Sequence, residues 1–231
     1  MSKQQYPGTS AVVVGGGFAG VACAKDLAER GVQVTLLDKN NYHQFQPLLY
    51  QLATAQLTEG DIARPIRGIL ASLPSANVKQ AEVIAVDVDM LTVTTAEGQT
   101  HHGDYLVLAM GSQPNFFGVP GAAEHSFPLY TLDDAVALRT RLIEVFEEAD
   151  CNPELIPRGA LNFVIIGAGA TGVESAGALA DLVNHVGPAA YRDIPVGSVK
   201  ITLVDLGHAV LGPFSDKAHE YAHKVLQKDG V

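Results

Sequence analysis

The chain has 231 residues, 47% of them hydrophobic, and 25 acidic against 15 basic side chains give a formal net charge of −10. The acidic balance argues against a nucleic-acid-binding protein, which needs a basic face, and the apolar content argues against disorder. Neither excludes an anionic ligand, because helix N-termini and backbone amides hold phosphates without basic side chains.

Residues 11–15 are apolar and β-branched without alternation, as suits a central parallel strand buried on both faces. A helical pattern over 18–30 stops at Gly31, and VQVTLLD, 32–38, is a second strand ending in an acid. The stretch AVVVGGGFAGVACAKDL also imitates a signal peptide, with Lys3 ahead of it and Ala22-Cys23-Ala24 as a cleavage-like end. Its design returns 152 residues later in ALNFVIIGAGATGVESAGAL, which a signal peptide does not explain. Strand, glycine turn and helix N-terminus explain both.

The stretch NYHQFQPLLYQLATAQL, 41–57, is a loop that passes into a short helix after Pro47, and 61–73 reads as a helix with Pro65 near its first turn. Residues 81–103 contain three short β-rich runs, with Gly98 turning between the second and third, and predict an inserted antiparallel meander. Strand 105–111 follows. A helix over 132–149 leads to a Pro/Gly-marked linker, 152–159. Strand 161–166, helix 170–185 and strand 199–205 start a second unit, interrupted by the excursion VGPAAYRDIPVGS, before a last helix ending at Gly230. The predicted fold is α/β, with two Rossmann-like units: a first dinucleotide-binding domain over 1–125, a connecting helix and linker over 126–159, and a second dinucleotide domain over 160–231, still short of its completing strands.

Gly15, Gly17 and Gly20 match G-x-G-x-x-G. The first permits a tight turn, the second lets a pyrophosphate approach the backbone, and the third lets helix and strand pack closely. Asp38 closes the next strand, 23 residues after Gly15. An acid there accepts hydrogen bonds from ribose hydroxyls; the alternative is a plain structural turn with a solvated carboxylate. Gly167, Gly169 and Gly172 repeat the loop, with Asp205 closing ITLVD, 38 residues after Gly167. Two loops imply two dinucleotides, or one cofactor and one dinucleotide substrate. No Lys or Arg closely follows Asp205, so a 2′-phosphate would meet a like charge, which favours NADH over NADPH.

Three stretches resemble the type II NADH dehydrogenases, single-chain flavoprotein NADH:quinone oxidoreductases. They are NNYHQFQPLLYQLAT (40–54), DYLVLAMGSQPNFFGVPG (104–121) with PLYTLDDAVALRTRL (128–142), and VIIGAGATGVESAGALADL (164–182). The resemblance implies FAD on the first loop, held around Gly15, Gly17, Phe18, Ala19 and Gly20, with Asp38 and Lys39 at the adenosine half. It places Val83 at the adenine and Ala109 and Gly111 in a turn beside FAD, Met110 replacing the family's threonine. Residues 43–50 match the stretch that passes the flavin ring; Phe45, Pro47 and Leu48 are read equally as flavin contacts or as core. NADH falls to Gly167, Gly169, Thr171, Gly172 and Asp205. Glu174, expected in the first turn of its helix, is the candidate catalytic residue, supporting hydride transfer or proton delivery; a first-turn acid without chemical role is the alternative.

The implied activity passes hydride from NADH to the flavin and electrons on to a quinone, on the inner face of the cell membrane in a longer, peripherally bound parent. A sulfide:quinone oxidoreductase and an inactive NADH/FAD-binding fragment are the alternatives. The first needs cysteines near the flavin, and Cys23 and Cys151 are poorly placed for that. Residues 39–60 hold no Cys, which argues against a disulfide reductase. Two cysteines far apart in sequence suit a reduced, intracellular protein. His101-His102 reads as a solvated turn, so no metal is expected. The open second sheet predicts association with a second copy.

Overall fold

The computed structural model describes residues 5–195 and 197–231, so Lys3 and Val196 lie outside the described residues. The chain divides into two compact units. One comprises Met1–Phe45 with Ala63–Asn115, the other Gln46–Ile62 with Phe116–Val231.

The first unit is built on strand β1 (Ser10–Val14), helix α1 (Phe18–Glu29) and strand β2 (Gln33–Asp38). A short hairpin follows from β3 (Tyr42–Gln44) and β4 (Ala63–Pro65), then β5 (Ala76–Gln80), the meander β6 (Val83–Asp87), β7 (Thr92–Thr95) and β8 (Thr100–His102), and finally β9 (Tyr105–Leu108). The parallel sheet runs in the order β5-β2-β1-β9. β1 lacks alternation because both its faces are covered. Ala11 and Val13 pack with Val34 and Leu36 against Ala24, Ala28, Ile66 and Leu70. Val12 and Val14 pack with Leu37 and Val93 of the meander. Each fully buried Val or Leu side chain contributes about 1.5–3 kcal/mol.

Two expectations are corrected here. The helix expected over 61–73 is broken into Glu59–Ile62, strand β4 and Ile66–Ile69. Pro65 is the cause: its backbone is extended (φ −54°, ψ 122°), and proline disfavours helical geometry in the residue before it. The freed segment pairs with β3 instead, His43 opposite Arg64. Strand β5 was not anticipated; Ala76-Asn77-Val78-Lys79-Gln80 is a half-polar edge strand with no strong apolar period. His101 and His102 lie on β8 rather than in the turn before it, which is at Gly98 (φ +77°). Among the described residues no His/Cys/Asp/Glu group could hold a metal ion.

In the second unit, α2 (Leu49–Ala53) packs against α3 (Leu132–Cys151) and α4 (Ala170–Asp181). The parallel pair β10 (Asn162–Ile166) and β11 (Lys200–Val204) forms the sheet, and α5 (Asp216–Lys228) ends it. Thr131 caps α3 by accepting the Asp134 N–H at 3.1 Å, while Asp134 Oδ2 accepts the Thr131 N–H at 2.8 Å. This reciprocal box stabilises the helix start by about 1 kcal/mol. Phe163 and Ile165 turn inward onto Leu142, Leu179 and Ile201, and Phe146 stacks between Phe163 and Tyr191. The alternate side chains Val164 and Ile166 are 63% and 76% exposed, so this sheet has one covered face and one bare face. No helix among the described residues is long and apolar enough to cross a membrane.

Candidate functional site

The three glycines of each loop answer to three different constraints. Gly15 has φ +103° and Gly167 has φ +100°, conformations that side chains rarely adopt. A Cβ on Gly20 would overlap the carbonyl of Gly15, and one on Gly172 would overlap the carbonyl of Gly167, so the helix rests directly on the end of its strand. The middle glycines differ. Gly17 (φ −73°) and Gly169 (φ −72°) have ordinary backbone angles, and a Cβ on either would meet nothing within 4 Å. Neither packing nor backbone geometry demands glycine there.

Below Gly15 lies the backbone of Ala109, whose N–H donates to Val14 O at 2.8 Å; a Cβ on Gly15 would strike its carbonyl. Gly111 follows at φ +74°, and Met110 is 61% exposed. Asp38 closes the loop from the next strand. Its Oδ2 accepts the Gly16 N–H at 2.5 Å and its Oδ1 the Asn40 N–H at 2.7 Å. The carboxylate is therefore a tie within the loop as well as a candidate ribose acceptor. Phe18 and Ala19 are exposed at the start of α1, where backbone N–H groups lack intrahelical partners. Phe18 meets His43 and Phe45 edge-on, at centroid distances of 5.1 and 5.3 Å. Lys39 is exposed, its carbonyl accepting from Gln80 Nε2 at 3.1 Å. Val83 is half-buried against the Val12, Val14, Leu37 and Val93 cluster.

The second loop repeats the tie. Asp205 Oδ2 accepts the Ala168 N–H and Oδ1 the Gly207 N–H, both at 2.6 Å. These two amides, Ala168 first, hold the Asp205 carboxyl below the usual carboxylate range. A cavity of about 380 Å³ opens over this loop, lined by Ala168, Gly169, Asp205, Gly207, His208 and His219 among others. No Lys or Arg is among its described lining residues. Thr171 is exposed on α4 beside it in sequence.

Glu174 is the fifth residue of α4, in its second turn, not the first. The helix-dipole account of a first-turn acid therefore does not apply, since that effect falls off within one turn. Partial burial raises its carboxyl above the ordinary glutamate value. In the same unit, burial raises the Tyr50 phenol, and the Glu174 charge adds to it. Pro47 is exposed and Leu48 half-buried, while Leu49, Leu52 and Ala53 supply the buried residues of that stretch. Phe45 is 43% exposed against Phe18. Cys23 and Cys151 are both free thiols.

The sequence marks His43 and Tyr50 only as the ends of the 43–50 stretch, with no role for either, and does not single out Leu211. His43 Nδ1 lies 2.9 Å from Gly16 O. Leu211, at φ +57°, turns its N–H onto Ala168 O at 2.7 Å. No local pattern announces either contact; both depend on where a loop returns.

Two glycine loops, each on a parallel strand and each tied by an acid at the end of the next strand, define a two-unit dinucleotide-binding α/β protein. The chain belongs to the pyridine nucleotide-disulphide oxidoreductase family, whose model matches residues 9–231. It is 36% identical over 241 residues to the type II NADH:quinone oxidoreductase Ndh of Mycobacterium tuberculosis, an alignment covering 100% of this chain and 52% of that protein. It is 31% identical over 233 residues to the mitochondrial external alternative NAD(P)H-ubiquinone oxidoreductase B2 of Arabidopsis thaliana, covering 95% and 40%. The fold resembles that of NDH2 from Plasmodium falciparum in complex with NADH, with TM-score 0.88, 23% identity and coverage of 96% and 47%. The sulfide:quinone oxidoreductase of Aquifex aeolicus shares it at TM-score 0.75 and 24% identity, covering 96% and 50%. The chain spans about half the length of the curated relatives it matches.

Proposed function

We propose that this chain carries the two dinucleotide sites of an FAD-dependent NADH:quinone oxidoreductase, with FAD on the loop around Gly17 and NADH on the loop around Gly169. The observation that carries this reading is the open space at those two glycines, where neither fold nor backbone asks for glycine. The names of the relatives supply the chemistry: NADH:quinone and NAD(P)H-ubiquinone oxidoreductases.

The first-turn amides of α1, at Phe18, Ala19 and Gly20, would hold the FAD pyrophosphate at the positive end of the helix. Asp38, with both oxygens anchored by backbone amides, has lone pairs left for a ribose. Bound FAD would supply the redox chemistry, taking hydride from NADH and passing electrons to a quinone. Asp205 plays for NADH the part that Asp38 plays for FAD, and its charge disfavours a 2′-phosphate in a cavity with no Lys or Arg among its described lining residues. Glu174 is the residue suited to hold a proton at its carboxylate, because burial has raised it. The quinone as acceptor and a membrane surface as the working location belong to the same proposal.

The test is flavin bleaching. The chain is loaded with FAD and mixed anaerobically with NADH. Loss of the flavin absorbance, and its return on adding a soluble quinone, is the expected result. A chain that takes up no FAD, or bound flavin indifferent to NADH, overturns the reading.

A further inference from the structure

The residue between the first two glycines of each loop is held at both ends of its peptide. In the second unit, Ala168 gives its N–H to Asp205 Oδ2 at 2.6 Å and receives the Leu211 N–H on its carbonyl at 2.7 Å. In the first unit, Gly16 gives its N–H to Asp38 Oδ2 at 2.5 Å, and its carbonyl lies 2.9 Å from His43 Nδ1. One unit closes the loop with a backbone amide, the other with an imidazole. The partners stand at similar removes from the acid: Leu211 is six residues beyond Asp205 (211 − 205) and His43 five beyond Asp38 (43 − 38).

We propose that His43 is a positioning residue of the first dinucleotide site, acting as its Nδ1–H tautomer. A carbonyl oxygen only accepts, so the 2.9 Å contact requires the proton on Nδ1. The ring has two neighbours and a paired backbone. It stands T-shaped to Phe18 at 86°, its Nδ1 lies against Gly16 O, and its main chain sits on β3 opposite Arg64. Gly16 has no slack of its own. It is buried, and a Cβ there would overlap Ile66 Cδ1 and come within 3.2 Å of Asp38 Oδ2. With both ends of Gly16 tied, the amides that follow at Gly17 and Phe18 are held in one orientation before ligand arrives. Such preorganisation improves affinity by lowering the ordering cost of binding. His43 acts through Gly16 and needs no contact with ligand.

The inference rests on FAD as the ligand of the first loop, and its first test does not. Long-range ¹H–¹⁵N correlation on the ligand-free chain, at alkaline pH, reads the tautomer of the His43 ring directly. A protonated Nδ1, opposite to the preference of a free histidine side chain, is expected. A protonated Nε2 overturns the proposal whether or not the chain binds flavin. The second test compares two variants. His43→Asn keeps an N–H donor near the Nδ1 position and loses the ring; His43→Phe keeps a ring against Phe18 and loses the donor. Losing this part-buried hydrogen bond to the loop should weaken FAD binding about tenfold in His43→Phe. His43→Asn should stay within about threefold of the parent. Melting curves of both variants show that they fold. Equal binding by the parent and His43→Phe, or a loss in His43→Asn as large as in His43→Phe, means the ring only packs. A parent that binds no FAD defeats the proposed function, and the tautomer then decides the role of His43 by itself.

Discussion

Asp205 Oδ2 accepts the backbone N–H of Ala168 at 2.6 Å, across 37 residues of sequence. The acid that closes the second strand thus binds the glycine loop itself, and Asp38 does the same for Gly16. One oxygen of each carboxylate is engaged by its own glycine loop, and the other by a backbone amide two residues on. Ribose recognition would use what remains, on an oxygen already held in place.

The charge of Asp205 should therefore serve both cofactor choice and stability. The parent is expected to prefer NADH to NADPH, and Asp205→Asn should narrow that preference; specificity constants for the two nucleotides measure it. The stability effect has a definite sign. The folded carboxyl titrates below its unfolded value, so its contribution is present above the unfolded value and is lost as pH falls through the folded one. Melting temperatures of parent and Asp205→Asn should differ at pH near 7 and converge in acid. A gap that does not shrink in acid would show that the Ala168 tie contributes nothing.

Gly17→Val and Gly20→Ala should fail for opposite reasons. A side chain at Gly17 meets open space, so the variant should fold and melt like the parent but purify without flavin. At Gly20 even one methyl group collides with the Gly15 carbonyl, and overpacking of this kind costs about 1–3 kcal/mol or more. Gly20→Ala should therefore lose melting temperature before any question of ligand arises. Circular dichroism melts and flavin absorbance per protein separate the two. Full flavin in Gly17→Val would refute the assignment of the first loop.

Glu174 makes a prediction in the other direction. Its raised folded value means that the folded chain holds this proton more tightly than the unfolded chain does. Stability from this group is complete below the unfolded value and declines as pH rises through the folded one. Glu174→Gln removes the decline, so its melting temperature relative to the parent should be higher at neutral pH than at pH near 4. If the parent and the variant keep a constant gap across that range, the carboxyl is not desolvated in the folded chain.

Leu211 holds the second loop through its N–H and occupies a left-handed backbone conformation, at φ +57°. Leu211→Gly relieves roughly 1–2 kcal/mol of backbone strain and keeps the amide, at the cost of a half-buried side chain. Its stability should stay near that of the parent. Leu211→Pro removes the amide and fixes φ on the wrong side, a change worth about 3 kcal/mol or more. Chemical denaturation gives both values, and equal loss in the two would show that neither the amide nor the backbone angle matters.

Much of the fold was legible because its signals are local. β1 reads as a buried strand because three valines in a row have no polar face to show, and the structure covers them from both sides. The loop glycines read correctly at Gly15 and Gly20 because turn angle and helix–strand contact act over five residues. Asp38 and Asp205 could be found because each ends a strand next to the loop it serves. Elements with weak local signals were missed or misread. β5 is half polar and exists because β2 offers it an edge, and Pro65 turned an expected helix into a strand that pairs with β3.

Composition, apolar period and glycine spacing by themselves determined the class of fold, the two loops and the acids that close them. Each of those follows from interactions between residues close in the chain. The tertiary structure decided which groups complete the loops: His43 for Gly16, Leu211 for Ala168, and the burial that lifts Glu174 beside Tyr50. Those depend on where a loop returns and what it excludes from water, and a hydrogen bond or a desolvated carboxyl exists only once the partners have been brought together in space.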